Sequence, residues 1–244
     1  MSQPPPDRPA PHEAPVTAPL MAPFAPPTRL RLSGQLTTLV PLAPAHVDDL
    51  YAATHGDERE ALWRYIFVGP FPDPAAFRAD MERKAAADDP LFFAVLDNRD
   101  GRALGFQAYL NIEPANRAVE VGSVLYSPAL QRTAAATEAQ YLFAAHAFET
   151  LGCRRYVWKC DDANEKSKAA ALRLGFSPEG LFRQHMIVKG RNRDTAWFSM
   201  LDSEWPARKA AFEAFLDPAN FDAAGRQKTP LSALNGRKRA ADRG

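Results

Sequence analysis

Between Ser127 and Glu138 the chain reads Ser-Pro-Ala-Leu-Gln-Arg-Thr-Ala-Ala-Ala-Thr-Glu, a turn running into a helix start made almost wholly of small side chains. The first N–H groups of a helix lack intrahelical acceptors and project from the positive end of its dipole. With small side chains around them they can seat a pyrophosphate, although ordinary close packing also produces Ala-rich helix starts, and both readings stand. Upstream, Glu120 lies in Val119-Glu120-Val121-Gly122, where alternation puts Glu120, Gly122, Val124 and Tyr126 on one face. A strand glutamate of this kind is often only solvated. Downstream, Asn164 and Ser167 bring an amide and a hydroxyl to a second Ala-rich helix, where Asn164 suits an N-cap and Ser167 the first turn. His185 lies within an apolar hairpin strand and reads as structural, and Tyr156 and Trp158 read as core. Cys153 and Cys160 stand seven apart with no His or Cys at ligand spacing, so no metal site is expected.

These residues need elements to hold them. The pattern predicts a strand over 35–41, helical pieces over 45–53 and 58–66, and a helix over 74–87. Apolar runs at 91–96 and 103–112 are joined by Asp97-Asn98-Arg99-Asp100-Gly101, a hairpin turn, and a further turn leads to a strand over Ala118–Tyr126. After Pro128 the period becomes helical through Glu138, Tyr141, Leu142, Ala145, Phe148 and Leu151, with Gly152 as the stop. A strand over 155–160, a helix over 164–174 ended by Gly175, and a hairpin of 182–188 with 196–201 follow. Ala211, Phe212 and Phe215 mark a last docking helix.

With 46% hydrophobic and 24% charged residues in 244, the chain is globular in composition, and its net charge of +1 argues against a nucleic-acid partner. Prolines interrupt the weakly apolar N-terminus and no run of eighteen apolar residues occurs, so a cytoplasmic protein without a membrane partner is expected. Ten of the 22 prolines fall between Pro4 and Pro27, which predicts a disordered tail over 1–29. One domain over 30–216 and a poorly ordered tail over 217–244 complete the division.

The block from Gln131 resembles the acetyl-CoA signature of the GCN5-related N-acetyltransferases, Arg/Gln-x-x-Gly-x-Gly/Ala, with Gln131, Ala134 and Ala136 at its named positions. Ala136-Thr137-Glu138-Ala139 is similar to the branch of ribosomal-protein N-terminal acetyltransferases (RimJ/RimL-like), and Asn164-x-x-Ser167 with Leu174-Gly175-Phe176 resembles the family's second element. The resemblance implies an α/β (α+β) fold, a mixed, mostly antiparallel sheet of about seven strands flanked by helices and splayed between the fourth and fifth. It implies acetyl-CoA as co-substrate, held at Val124, Leu125, Tyr126, Gln131, Arg132, Thr133, Ala134, Ala135, Ala136, Asn164 and Ser167, with no metal. Acetyl then passes by direct attack to a primary amine, on a protein N-terminus or a small molecule. Glu120 is the implied base, Ser167 the hydroxyl beside the departing thiolate, and Trp63, Tyr65 and Phe71 the wall of the acceptor pocket. Two departures stand out: Ala134 replaces a glycine, and Ala171 replaces the tyrosine that protonates the thiolate in many members. They motivate an alternative, a non-catalytic acyl-CoA-binding regulatory module. A homodimer is left open.

Overall fold

A computed structural model describes residues 23–236. In chain order the elements are β1 (Leu32–Ser33), β2 (Thr37–Pro41), α1 (Val47–Thr54), α2 (Arg59–Trp63), α3 (Pro74–Ala86), β3 (Leu91–Asp97), β4 (Ala103–Glu113) and β5 (Ala118–Tyr126). Then come α4 (Ala134–Ala145) with a π-helical turn (His146–Thr150), β6 (Arg155–Asp161), α5 (Glu165–Leu174), β7 (Ser177–Val188), β8 (Arg191–Leu201), α6 (Trp205–Leu216) and α7 (Leu231–Leu234). One sheet holds all the strands in the order β1-β2-β3-β4-β5-β6-β8-β7. Among the described residues only β5 and β6 run parallel. The strand beyond the expected seven is β1, two residues long and too short for an alternating pattern to register. β7 and β8 are each longer than expected because Pro178 and Gly180 break the strand pattern at the start of β7, and Arg191 and Arg193 break the apolar run at the start of β8.

The parallel pair positions the site. β5 and β6 are joined only from Ala118 opposite Arg155 to Val121 opposite Trp158. Beyond that point β5 stays with β4, pairing Leu125 with Phe106 and Tyr126 with Gly105, while β6 stays with β8, pairing Asp161 with Thr195. The two strands part, as the resemblance implies, and leave a gap with unpaired backbone along its edges.

Two apolar cores lie on opposite faces of the sheet. The first packs α4, α5, α6 and Leu231 of α7 against Tyr109, Val119, Val121, Tyr156 and Trp158. The second packs α1, Trp63 and α3 against Phe92, Phe106, Ala108 and Leu125, so its helices cover only the β2–β5 half of that face. The other half is where Lys159 and Trp197 stand.

Both expected tails are shorter over the described residues. Phe24 is 5% exposed within the first core and donates its N–H to the Pro114 carbonyl, while Arg29 pairs with Asp88. One aromatic among the prolines has enough apolar surface, worth about 2 kcal/mol on burial, to dock the segment. At the other end Leu231 is fully buried and Asn220 bonds the carbonyls of Phe215 and Thr229. Residues 1–22 and 237–244, including Arg237-Lys238-Arg239, lie outside the described residues.

Candidate functional site

The helix start is built as the small side chains suggest. Thr133 is the N-cap of α4; its hydroxyl accepts from the Ala136 N–H at 3.1 Å and donates to the Leu130 carbonyl at 2.7 Å. The first backbone bond runs from the Thr137 N–H to the Thr133 carbonyl, so the amides of Ala134 and Ala135 precede the intrahelical ladder. Gln131 is exposed but turns its amide back onto the Tyr126 carbonyl at 2.8 Å, which fastens the loop to the end of β5. The left-handed backbone falls on Arg132, φ 63°, whereas Ala134 is already helical. Alanine in place of the family glycine therefore brings no strain at 134. Ala136 is 8% exposed and belongs to the first core, so its contribution to a ligand is confined to its small size.

On β5 the expected alternation fails at one residue. Ser123 has φ 50°, and the β4–β5 register shifts between Phe106 and Ala108. This bulge inserts an extra residue and flips every later side chain. Glu120 shares its face with Leu110, its register partner, and a Cβ on Gly122 would meet both. Val124 and Tyr126, expected beside Glu120, instead join Val119 and Val121 on the helix-covered face, while Leu125 enters the second core. Leu125 and Tyr126 are buried, so this stretch can offer a ligand little besides its backbone at the gap.

Glu120 is 6% exposed and sits one residue before the last β5–β6 pair. Its Oε2 takes both of its partners, the Lys159 ammonium at 2.8 Å and the Asn111 amide at 2.7 Å. Oε1 has no partner among the described residues, and the missing side chain of Gly122 leaves space beside it: a Cβ there would lie 3.3 Å away. Lys159 also stands 4.0 Å from the centre of the Trp197 ring, a cation–π contact. Glu120, Asn111, Lys159 and Trp197 line a cavity of about 270 Å³ that continues towards Asn116 and Arg154.

Across the gap, Asn164 caps α5, its Oδ1 accepting from the Ser167 N–H at 3.1 Å. The Ser167 hydroxyl accepts from the Trp158 indole N–H at 3.0 Å. Burial pushes the neighbouring Cys160 thiol up, and the Ser167 hydroxyl offsets part of that shift. Ala171 is fully buried in the first core, so a tyrosine could not be accommodated there without repacking.

The expected acceptor wall needs correction. Trp63 is fully buried, edge-on to Phe71 and Phe77, with its indole N–H donated to the Thr54 carbonyl at 3.0 Å. It anchors a strap over 64–71 and does not face a ligand. Phe71 packs into the same aromatic group. Tyr65 remains in a facing position: its hydroxyl donates to the Ala163 carbonyl at 2.8 Å, tying the strap to the end of β6. A second tie, Lys189 Nζ to the Trp63 carbonyl at 2.9 Å, joins the strap to the β7–β8 hairpin. His185 shares the Thr195 hydroxyl and lies against Phe182 and Trp197, in keeping with a structural role. Asn111, Lys159, Phe67 and Arg193 went unnoticed in the sequence because strand register and the strap, not spacing, bring them to this face.

A sheet parted beside a parallel pair, with open helix-start amides on one face and a buried carboxylate on the other, is the arrangement that the resemblance to acetyl-CoA-dependent acyltransferases implies. Residues 37–177 match the family model described as "Acetyltransferase (GNAT) domain", and the chain belongs to that family, whose members use acetyl-CoA as co-substrate and amines as acceptors. It is similar to a GCN5-related N-acetyltransferase of known structure from Brucella melitensis, at 47% identity over 88% of this chain and 98% of that one, with a TM-score of 0.87. A structure from Chromobacterium violaceum, titled a probable GNAT-family acetyltransferase, is 40% identical over 83% of this chain and 100% of that one, with a TM-score of 0.75. A Bacillus subtilis chain named "Putative ribosomal N-acetyltransferase YdaF" is 31% identical over 110 residues, 45% of this chain and 60% of that one, so the match spans less than two thirds of that relative's length. Among the described residues no group of three His, Cys, Asp or Glu side chains is arranged to hold a metal ion, and no helix is long and apolar enough to cross a membrane.

Proposed function

We propose that the chain is a cytoplasmic N-acetyltransferase that moves acetyl from acetyl-CoA to a primary amine in a ternary complex. The observation that carries this reading is the free Oε1 of Glu120, held beside Gly122 at the mouth of the β5–β6 gap while Oε2 is fixed by Lys159 and Asn111. The Ala134 and Ala135 amides are suited to the pyrophosphate, and the unpaired β5 edge from Gly122 to Tyr126 to the pantetheine. Acetyl-CoA supplies the activated acyl group. The acceptor enters from the opposite face, Glu120 takes a proton from its nitrogen, a C–N bond forms at the carbonyl as the C–S bond breaks, and the thiolate collects a proton near Ser167. The name of the Bacillus subtilis relative favours a protein N-terminus over a free small amine as acceptor.

Mass spectrometry of a peptide and small-amine panel incubated with protein and acetyl-CoA tests the activity. Glu120→Gln is expected to lower turnover by about 10²-fold or more with little change in acetyl-CoA affinity. Wild-type turnover by this variant at every pH would remove Glu120 as the base. Acetyl-CoA binding with no product from any amine would favour the regulatory module.

A further inference from the structure

Two Lys or Arg side chains are buried among the described residues, and they differ in one respect. Lys84, 6% exposed, is paired with Asp80. Arg193, 8% exposed, forms no ion pair among the described residues. Its Nε donates to the Thr195 hydroxyl at 3.2 Å and its guanidinium lies 4.9 Å from the centre of the Phe67 ring. Neither Nη group has a protein acceptor among the described residues, yet neither is sealed from solvent. A guanidinium stays charged, and a buried charge that no ion pair compensates is destabilising. Burial accordingly lowers the Arg193 pKa, with Asp161, Cys160 and Glu120 only partly offsetting it.

The position of this cation gives it a use. Along β8, residues 193, 195 and 197 share one face. Trp197 holds Lys159 against Glu120 on that face, and Thr195 stands opposite Asp161 where β6 has left β5. Phe67 belongs to the strap that Tyr65 and Lys189 fasten across the same side. A molecule bound at the mouth of the gap thus meets a carboxylate towards one end and an unpaired guanidinium towards the other.

We infer that Arg193 is an anion seat of the acceptor pocket and binds a carboxylate carried by the acceptor amine. This inference rests on the acetyl-transfer reading above and narrows its substrate class: the acceptor's amine goes to Glu120 and its carboxylate to the two free Nη groups, in the paired geometry arginine offers. The carboxylate is either the α-carboxylate of a free amino acid or the side chain of an acidic residue just after a peptide N-terminus.

The test uses matched acceptors with the full chain and acetyl-CoA. One arm compares amino acids with their amides; the other compares peptides beginning Ser-Asp or Ser-Glu with those beginning Ser-Asn or Ser-Gln. In one arm, which identifies the source, wild type is expected to favour the carboxylate by about tenfold or more in kcat/KM. In Arg193→Met that ratio falls towards one, while Arg193→Lys keeps part of it. The melting temperature of Arg193→Met is expected to equal or exceed that of wild type, because no protein ion pair is lost; a structural arginine would lower it. Absence of a preference in both arms, or an unchanged preference in Arg193→Met, overturns the assignment. If no amine is acetylated, the transfer reading fails, and calorimetric titration with the same amino acids and peptides judges the seat alone: tighter carboxylate binding that Arg193→Met abolishes supports it, and equal binding overturns it.

Discussion

At the scale of single residues, the site depends on which atom of each side chain is already engaged. Ser167 is identifiable from its distance to Asn164 and the following Leu-Gly-Phe, but the role of its oxygen as acceptor for the Trp158 indole is a tertiary fact. That bond fixes the position of the hydroxyl, which in the proposed reaction stands beside the departing thiolate. Ser167→Ala is expected to slow single-turnover acetyl transfer about tenfold with acetyl-CoA still bound, and to cost about 1 kcal/mol through the orphaned indole N–H. A wild-type single-turnover rate in this variant would confine Ser167 to anchoring Trp158 and give the thiolate to water. Ala171→Tyr is not expected to rescue the rate, since Ala171 has no exposed surface.

At the scale of elements, α4 has to be held at a fixed height above the sheet for its first amides to face the gap. Glu138 provides the tie. Its carboxylate, 5% exposed, accepts from the backbone N–H groups of Gln35, Leu36 and Thr37 at 2.8, 2.7 and 2.8 Å, clasping the β1–β2 turn to the second turn of the helix. Glu138 of the family-like Ala136-Thr137-Glu138-Ala139 therefore has a structural reason here. Glu138→Ala leaves three donors without an acceptor and is expected to cost about 3 kcal/mol or more, with Glu138→Gln losing less. Urea denaturation measures both, and a loss below about 1 kcal/mol for Glu138→Ala would show that the turn finds other partners. Helix ends were legible because Gly152 and Gly175, at φ 66° and 102°, do what only glycine does without strain. The Ser123 bulge was not, since an inserted residue carries no compositional mark.

At the scale of the whole molecule, burial of neutral histidines gives stability a pH dependence. Burial lowers the pKa of His46, His55 and His146 in the folded protein, and the first two accept backbone N–H groups from Ala43 and Phe71 on a ring nitrogen that protonation would occupy. The unfolded chain takes up protons at these sites near pH 6.5, the folded chain only lower. Stability is therefore complete above about pH 6.5 and falls towards pH 5, by up to about 1.4 kcal/mol per pH unit for each such histidine. Urea midpoints between pH 7 and pH 5 check this. A flat profile over that window would mean that the three rings titrate alike in both states, and a histidine-to-glutamine change at position 55 should reduce the slope.

The sequence by itself determined the order of the seven longer strands and the helices between them, the small-residue helix start at Thr133, the caps at Asn164 and Gly175, and the presence of a carboxylate on the strand before the gap. Each is a local property, fixed by periodicity, side-chain size or the dihedral freedom of one residue. The tertiary structure decided what depends on residues far apart in the chain. β5 and β6 pair for only four residues and then part. The bulge at Ser123 separates Val124 and Tyr126 from the Glu120 face, Lys159 and Asn111 claim one oxygen of Glu120 and leave the other, Trp63 turns inward, and Arg193 is buried with no ion pair among the described residues. Register and packing select these contacts, because a one-residue shift in a strand exchanges its two faces while leaving the composition of the chain unchanged.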